Sequence, residues 1–485
     1  MRGLRRTLTF RIENIEEPDL MFSEDENGQK GKSKDPRIGL IKHGPRTPEG
    51  KPHHVTMKIG VIGDYYSINE IQSFFNQMRE RILPERPKKS SEPQKWKMPF
   101  PGLSNESPLN VSMNLQKRWR EVITKEEISK ITNLQNQNEI LEKTVELFEK
   151  KTDIVYGKET PPDVIVICIP EQIYQKYASA SAYKQKIQTD DSDLHNRIKL
   201  KSIIRKVPTQ IIHPNTLRRK KTQGMSDIAW NLAVGLLYKA QKGHPWKLAE
   251  FELDTCYAGI SFYKERTTHL SKASMAQAFL DSGESFILRA DQVHESLGRR
   301  QNHLTEEDAE KVVKKILNQY YDIRKSRPSR LVIHKTSNFW EEEKKGMLQA
   351  ANGVHSIDLI TIEEEHPLRL FNENCAYPVL RGTMLTPPDR KEYYLFTNGF
   401  VSVLGAYQGY RVPRPIVIRP DEQSVTPIGE IAKEILAFTK LDWNSSHFCK
   451  KIPVTIEVSR SVGGVLAEPE TKKLKDIDPH YYFYM

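Results

Sequence analysis

The sequence predicts an α/β protein built from two successive layers, the first of them Rossmann-like. Two observations carry that prediction. Short apolar runs, Met57-Lys-Ile-Gly-Val-Ile-Gly63 and Val164-Ile-Val-Ile-Cys-Ile169, alternate with stretches whose apolar residues recur at helical spacing. From about Lys247 the order changes to strands in succession, a well-marked helix and another strand. A length of 485 residues accommodates two to four domains with ample cores.

Taken in order, Leu8 to Ile12 reads as a strand and Phe22–Lys34 as a loop. Ser67–Ile82 places Ile68, Ile71, Phe74, Phe75, Met78 and Ile82 on a helical face, and Leu83–Pro101 reads as an exposed connection. One long polar helix is expected from about Thr124 to Lys151, ahead of the buried strand at Val164–Ile169. Pro208-Thr-Gln-Ile-Ile212 reads as a short strand and Ser226–Lys242 as a helix. In the second layer, strands are expected at Cys256–Tyr263 and Glu284–Arg289. Thr305 and Asp308 start a helix to Ile323 that leads into the strand Leu331-Val-Ile-His334. Strands at Tyr393–Phe396 and Pro415–Ile418 precede a helix with Thr426 at N-cap and Pro427 at N1. Antiparallel strands, a crossover helix, a parallel strand and a terminal helix make the order of a ribonuclease H-like fold.

Lys and Arg outnumber Asp and Glu by 74 to 63, a formal charge of +11, which points to a polyanionic partner such as nucleic acid. A basic surface serving only solubility is the alternative. The four cysteines, Cys168, Cys256, Cys375 and Cys449, are scattered without C-x-x-C spacing, which argues against a zinc site or disulfide framework. No apolar run approaches membrane-spanning length, so a soluble, cytoplasmic protein is expected.

The most basic stretch, Asp190–Lys221, holds His195, Arg197, Lys199, Lys201, Arg205, Lys206 and Arg218-Arg-Lys-Lys221. His195 and Lys199 share a helix face at a spacing of four, and so do Arg197 and Lys201. Taken alone, either pair is a solvated helix face. Asp254, seven residues before Ser261, falls on the opposite strand face and reads as a turn residue.

Several local patterns, in order along the chain, resemble the short prokaryotic Argonautes. Glu17-Pro-Asp-Leu-Met-Phe22, Asp35-Pro-Arg-Ile-Gly-Leu40 and His43-Gly-Pro45 resemble that family's entry segment. Pro208-Thr-Gln210, Asn231 eight residues before Lys239, and Gly243-His-Pro-Trp246 resemble its MID domain. Leu441-Asp-Trp443, Ile452-Pro-Val-Thr455 and Tyr481-Tyr-Phe-Tyr-Met485 resemble the end of its PIWI domain. The resemblance implies an N-terminal segment over 1–42, a Rossmann-like MID domain over 43–247 and a ribonuclease H-like PIWI domain over 248–485. It leaves little room for N and PAZ domains.

In that family a guide's 5′-phosphate is held by an aromatic residue or His, a Lys four residues on, a Gln and a distant Lys. His195, Lys199, Gln210 and Lys239 match, and Asn231 would contact the first guide linkages. The register Arg197/Lys201 stays open beside His195/Lys199. The carboxylate of Met485 would share a Mg²⁺ with the phosphate, since a hard cation takes oxygen ligands. Slicing members hold two Mg²⁺ on a carboxylate tetrad. At the matching positions stand Ser261, Thr336 and Arg460, so an inactive PIWI domain is expected and enzymatic activity is expected in a partner. The resemblance implies guide RNA, a complementary single-stranded DNA target and a co-encoded APAZ-domain effector of TIR, sirtuin-like or nuclease type, in plasmid or phage defence. Residues 84–130 are the expected docking stretch, and assembly into a higher oligomer on activation is left open. The rival readings are a working guided endonuclease and a guide-independent basic scaffold.

Overall fold

The computed structural model describes residues 9–24, 28–47, 54–85, 96–183, 190–217, 224–250, 254–264, 271–279, 285–289, 302–371, 373–374, 377–388, 391–407, 409, 411–468, 478 and 480–485. Cys375 and the tetrad Arg218-Arg-Lys-Lys221 therefore lie outside the described residues. The chain divides into two compact units. One comprises Met21–Trp246, Trp443–Ser446 and Glu470–Met485; the other comprises Met1–Leu20, Lys247–Asp442 and His447–Pro469.

The first unit is built on a parallel sheet. Two short strands, β2 (Leu20–Glu24) and β3 (Lys30–Ser33), lie side by side where a loop was expected. They precede α1 (Pro36–His43), whose first turn is capped by Asp35 accepting from the amides of Arg37 and Ile38. The central strand β4 (Val55–Asp64) runs parallel to β5 (Val111–Asn114) and β6 (Arg120–Ile123) on one side and β7 (Val164–Cys168) on the other. β8 (Thr209–Ile212) completes the sheet beside β7, again parallel. Strands enclosed on both faces need continuous apolar runs, which is why β4 and β7 read so clearly in the sequence. Helix α2 (Tyr65–Gln77) follows β4 and stops one turn before the expected end.

Two expectations fail in this unit. The long helix is broken into α3 (Lys125–Thr132) and α4 (Gln137–Tyr156). Asn136 caps the second helix by accepting from the amides of Asn138 and Glu139, a local bond that competes with continued helix. The stretch 84–130 is not one extended segment: it supplies β5, β6 and most of α3 and buries Phe100, Leu103 and Trp119. The carbonyls of Met98 and Pro99 accept bonds from Ser226 Oγ and Trp230 Nε1, so the expected exposed connection is built in at its end. Residues 86–95 lie outside the described residues.

The rest of this unit is helical: α5 (Glu171–Tyr183), α6 (Asp190–Arg205), the short α7 (Pro214–Leu217) and α8 (Met225–Gln241). Ile62, Ile165, Ile167, Phe148, Leu194 and Ile198 form its core between sheet and helices.

The second unit is built on a nine-stranded mixed sheet. After the two-residue β9 (Lys247–Leu248), β10 (Thr255–Lys264), β11 (Ser271–Phe279) and β12 (Ser285–Arg289) form an antiparallel meander. Asp254 precedes β10 with φ +62°, a turn conformation that Asp tolerates. Helix α9 (Glu306–Arg324) crosses over, with Thr305 accepting from the Asp308 amide, into β13 (Arg330–Lys335), which pairs parallel with β10. Helix α10 (Glu341–Ala350) leads to β14 (Ser356–Glu363), parallel to β13, and β15 (Thr383–Thr386), β16 (Tyr393–Leu395) and β17 (Ile416–Pro420) follow antiparallel. β1 (Arg11–Asn14) edges this sheet beside β15. The meander, crossover and parallel return follow the expected ribonuclease H-like order.

Helix α11 (Ile428–Phe438) begins two residues after Thr426; Pro427 takes the N-cap, while the Thr426 hydroxyl donates to Asp358 at 2.6 Å. Ile452-Pro-Val-Thr455 opens helix α12 (Val454–Leu466) with Pro453 at its N-cap. The helix start lies directly on β10: a Cβ on Gly259 would come within 2.2 Å of the Thr455 carbonyl oxygen. Among the described residues, no helix is long and apolar enough to cross a membrane.

Candidate nucleic-acid interface

In the parallel-sheet unit, α6, β8 and α8 bring together four of the predicted residues. Lys199 is buried on α6, and its Nζ donates to the Thr209 carbonyl at 2.5 Å and to Thr209 Oγ1 at 3.4 Å. Lys239 is fully buried on α8, and its Nζ donates to Gln210 Oε1 at 2.5 Å. Both lysines thus converge on neighbouring residues of one short strand, and among the described residues all of their acceptors are neutral oxygens. Burial, and then the charge of Lys239, holds the Lys199 amine well below its ordinary range; burial alone pushes Lys239 down to about 7. Burial followed by the charge of Lys199 pushes the His195 imidazole down to about 3, so that it is neutral at physiological pH.

Arg197 and Lys201 point elsewhere. Arg197 pairs with Glu142, and Lys201 with Glu149 at 3.4 Å, both on α4. Arg205 continues the row with Glu149 at 2.7 Å and with Asp153. A helix with cations at i and i+2 must send them to different faces, and here only the His195/Lys199 face meets Gln210 and Lys239. The structure does not bring Arg197 or Lys201 to that cluster.

Asn231 lies on α8 two turns before Lys239, and its Oδ1 accepts from the amide and hydroxyl of Ser446 at 3.0 and 3.1 Å. The segment 443–446 is anchored beside it, where Trp443 stacks on His244 at 3.8 Å and donates to the Trp246 carbonyl. The final residues belong to the same unit. Tyr481 and Tyr482 pack against Tyr238 of α8, Tyr484 donates to the Asp478 carbonyl at 2.9 Å, and Met485 is buried.

Two residues of this site escaped the sequence reading. Gly235 falls midway between Asn231 and Lys239 on the same helix face, and a Cβ there would lie 3.5 Å from Asn444 Oδ1 and 3.6 Å from Gln210 Oε1. The spacing of four from Asn231 to Gly235 to Lys239 was a signal for Gly235. Nothing local in the sequence links Asn444 to Gln210.

In the nine-strand unit, Ser261 is buried on β10, and Thr336 follows the end of the adjacent β13. Arg460 sits on α12, not beyond a strand, and its guanidinium pairs with Glu364 at 2.6 Å. Lys335, one residue before Thr336, is fully buried against Glu343 at 2.5 Å. Among the described residues no group of three or more His, Cys, Asp or Glu side chains is placed to hold a metal ion.

Comparison of the whole chain with solved structures gives three informative matches. Clostridium butyricum Argonaute, solved with a guide DNA and a 19-mer target DNA, superposes with a TM-score of 0.62 and 14% identity, over 94% of this chain and 53% of that one. Drosophila Piwi gives 0.61 and 14%, over 98% and 56%. A. aeolicus Argonaute gives 0.53 and 14%, over 96% and 54%. The fold is that of the Argonaute and Piwi proteins. The architecture is accordingly a MID-like parallel-sheet unit with a ribonuclease H-like, PIWI-like unit, and the chain spans about half the length of these structures. No family model matches the sequence, and no curated protein matches it.

Proposed function

We propose that this chain is a guide-dependent nucleic-acid sensor. Its MID-like pocket anchors the 5′-phosphate of a guide, and its PIWI-like unit holds the guide–target duplex without cutting it. The observation that carries the reading is the pair of buried lysines, Lys199 and Lys239, whose partners among the described residues are all neutral oxygens. A buried cation normally has a counter-charge, and a phosphate monoester, close to a dianion at neutral pH, supplies one. His195 beside Lys199 offers a neutral ring for stacking on the first base. Asn231 and the Gln210 carboxamide supply the polar contacts around it.

A Mg²⁺ ion bound to the guide phosphate would offset part of its charge in this unit. Ser261, Thr336 and Arg460 support the non-cutting reading, since hydroxyls are poor principal ligands for Mg²⁺ and a guanidinium repels it. Sequence specificity then comes from base pairing, with the protein reading backbone and shape. The guide is RNA and the target single-stranded DNA, and duplex formation activates an APAZ-domain effector in a defence system.

The test loads purified chain with 5′-phosphorylated RNA and adds labelled complementary or scrambled DNA in Mg²⁺. Selective retention of the complementary strand, intact, is the expected result. Cleavage of the matched strand would establish the endonuclease reading, and retention of both strands alike would establish the scaffold.

A further inference from the structure

We propose that a phosphate monoester enters the MID-like pocket together with protons, so that guide binding is proton-coupled above neutral pH. The proposal rests on the function just given. It starts from geometry: two primary amines, on α6 and α8, are buried beside one strand with no carboxylate within ion-pair distance among the described residues. Their acceptors are Thr209 O, Thr209 Oγ1 and Gln210 Oε1, and Thr209 Oγ1 is itself bonded to Ser202 Oγ at 2.8 Å. An ammonium in such a place loses its hydration without gaining a counter-charge, and shedding the proton is the cheaper state.

The surrounding titratable groups do not reverse this. His195 on α6 is held neutral chiefly by its burial, whether or not the two amines carry protons. Asp478 in the terminal segment interacts with His480 and with Lys206, at the far end of α6. Burial pushes the phenols of Tyr482 and Tyr484 up, so they stay neutral.

A dianionic phosphate changes the balance. Each amine takes one proton from solvent, R–NH₂ + H⁺ → R–NH₃⁺, and the resulting ammonium donates to a phosphate oxygen. Reprotonation becomes harder as pH rises, so Kd for a phosphorylated guide should increase by about tenfold per pH unit for each proton taken up. Below about pH 6 the phosphate takes its own second proton and binding weakens again. Affinity therefore peaks near neutrality.

The experiment is titration calorimetry of the full chain with 5′-phosphate RNA and its 5′-hydroxyl twin, at pH 8, in HEPES and in Tris. These buffers differ in ionisation enthalpy, so a difference in apparent heat counts protons. The expected result is uptake of about one to two protons per phosphorylated guide, none for the hydroxyl twin, and persistence in EDTA. Lys239→Met should lower the count by about one, and the wild-type buffer pair decides the matter if that variant fails to fold. A phosphate preference with buffer-independent heat would overturn the inference and leave the proposed function standing. Uptake that vanishes in EDTA would assign it to a metal-bound group and also overturn it. Equal binding of both ends would remove the pocket and both readings with it.

Discussion

The two units each bury a pair of basic side chains, and the pairs are built on opposite principles. In the PIWI-like unit, Arg381 and Lys440 are enclosed around Glu17, which accepts from Arg381 Nε at 2.8 Å and from Lys440 Nζ at 2.9 Å. Arg381 also donates to the carbonyls of Thr397 and Leu436 and to Thr439 Oγ1, and Lys440 lies 3.6 Å from the centre of the Phe448 ring. Burial opposes ionisation of Glu17, but the two cations hold its carboxyl below the ordinary range. That cluster is complete within the unit. In the MID-like unit, Lys199 and Lys239 meet only neutral oxygens among the described residues. A buried cation with its carboxylate ties the chain together; on the proposed function, one without it receives an anion from outside.

The contrast can be broken by exchanging the consequences of substitution. Arg381→Met leaves Glu17 and Lys440 with a broken network, and chemical unfolding should show a loss of about 3–5 kcal/mol. Guide-end discrimination by the folded fraction should be unchanged. Lys239→Met should do the reverse. It replaces a poorly solvated amine by a side chain of similar length, so stability should stay level or rise. Binding of a 5′-phosphate guide should weaken by about tenfold to a hundredfold, the ~1.5–3 kcal/mol of a hydrogen bond to a charged group.

A pH series of unfolding in the absence of guide sharpens the same comparison. His334, fully buried on β13 with Nδ1 2.8 Å from Thr455 Oγ1, is pushed by burial down to about 3. Lys239 sits at about 7, against an ordinary value of 10.5. In both cases the unfolded chain binds more protons, so stability should rise with pH, from about 3 to 6.5 for His334 and from about 7 to 10.5 for Lys239. Lys239→Met should reduce the slope in the upper window, where Lys199 still contributes, and leave the lower window unchanged. The smallest effect belongs to Arg197→Ala, which loses a pair with the half-exposed Glu142 and should cost less than about 1 kcal/mol without touching phosphate preference.

What the sequence allowed to be read follows from how local each signal was. β4 and β7 are unbroken apolar runs, and Thr305 caps its helix with a residue three positions away. The His195/Lys199 and Asn231/Lys239 spacings could be read because helical periodicity places residues on faces. The α3–α4 break was hidden because apolar periodicity continues across Asn133–Asn136, where only a capping side chain marks the interruption. Val454, Thr455, Ile456 and Val458 have strand-like composition, yet Pro453 starts a helix there and Gly259 allows that helix to sit on β10. Which of the two basic pairs on α6 faces Gln210 and Lys239 depended on Glu142 and Glu149, more than fifty residues upstream. Glu17 reaching Arg381, and Asn444 reaching Gly235, are contacts between distant parts of the sequence that no local pattern encodes.

On the proposed function, Lys199 and Lys239, which have no ion-paired carboxylate among the described residues, receive a guide's terminal phosphate. The direct measurement compares binding of one short RNA with a 5′-phosphate and with a 5′-hydroxyl, in Mg²⁺, to the wild type and to Lys199→Ala. The wild type should prefer the phosphate by at least about tenfold, and the variant should largely lose that preference. Equal binding of the two ends by the wild type would contradict it.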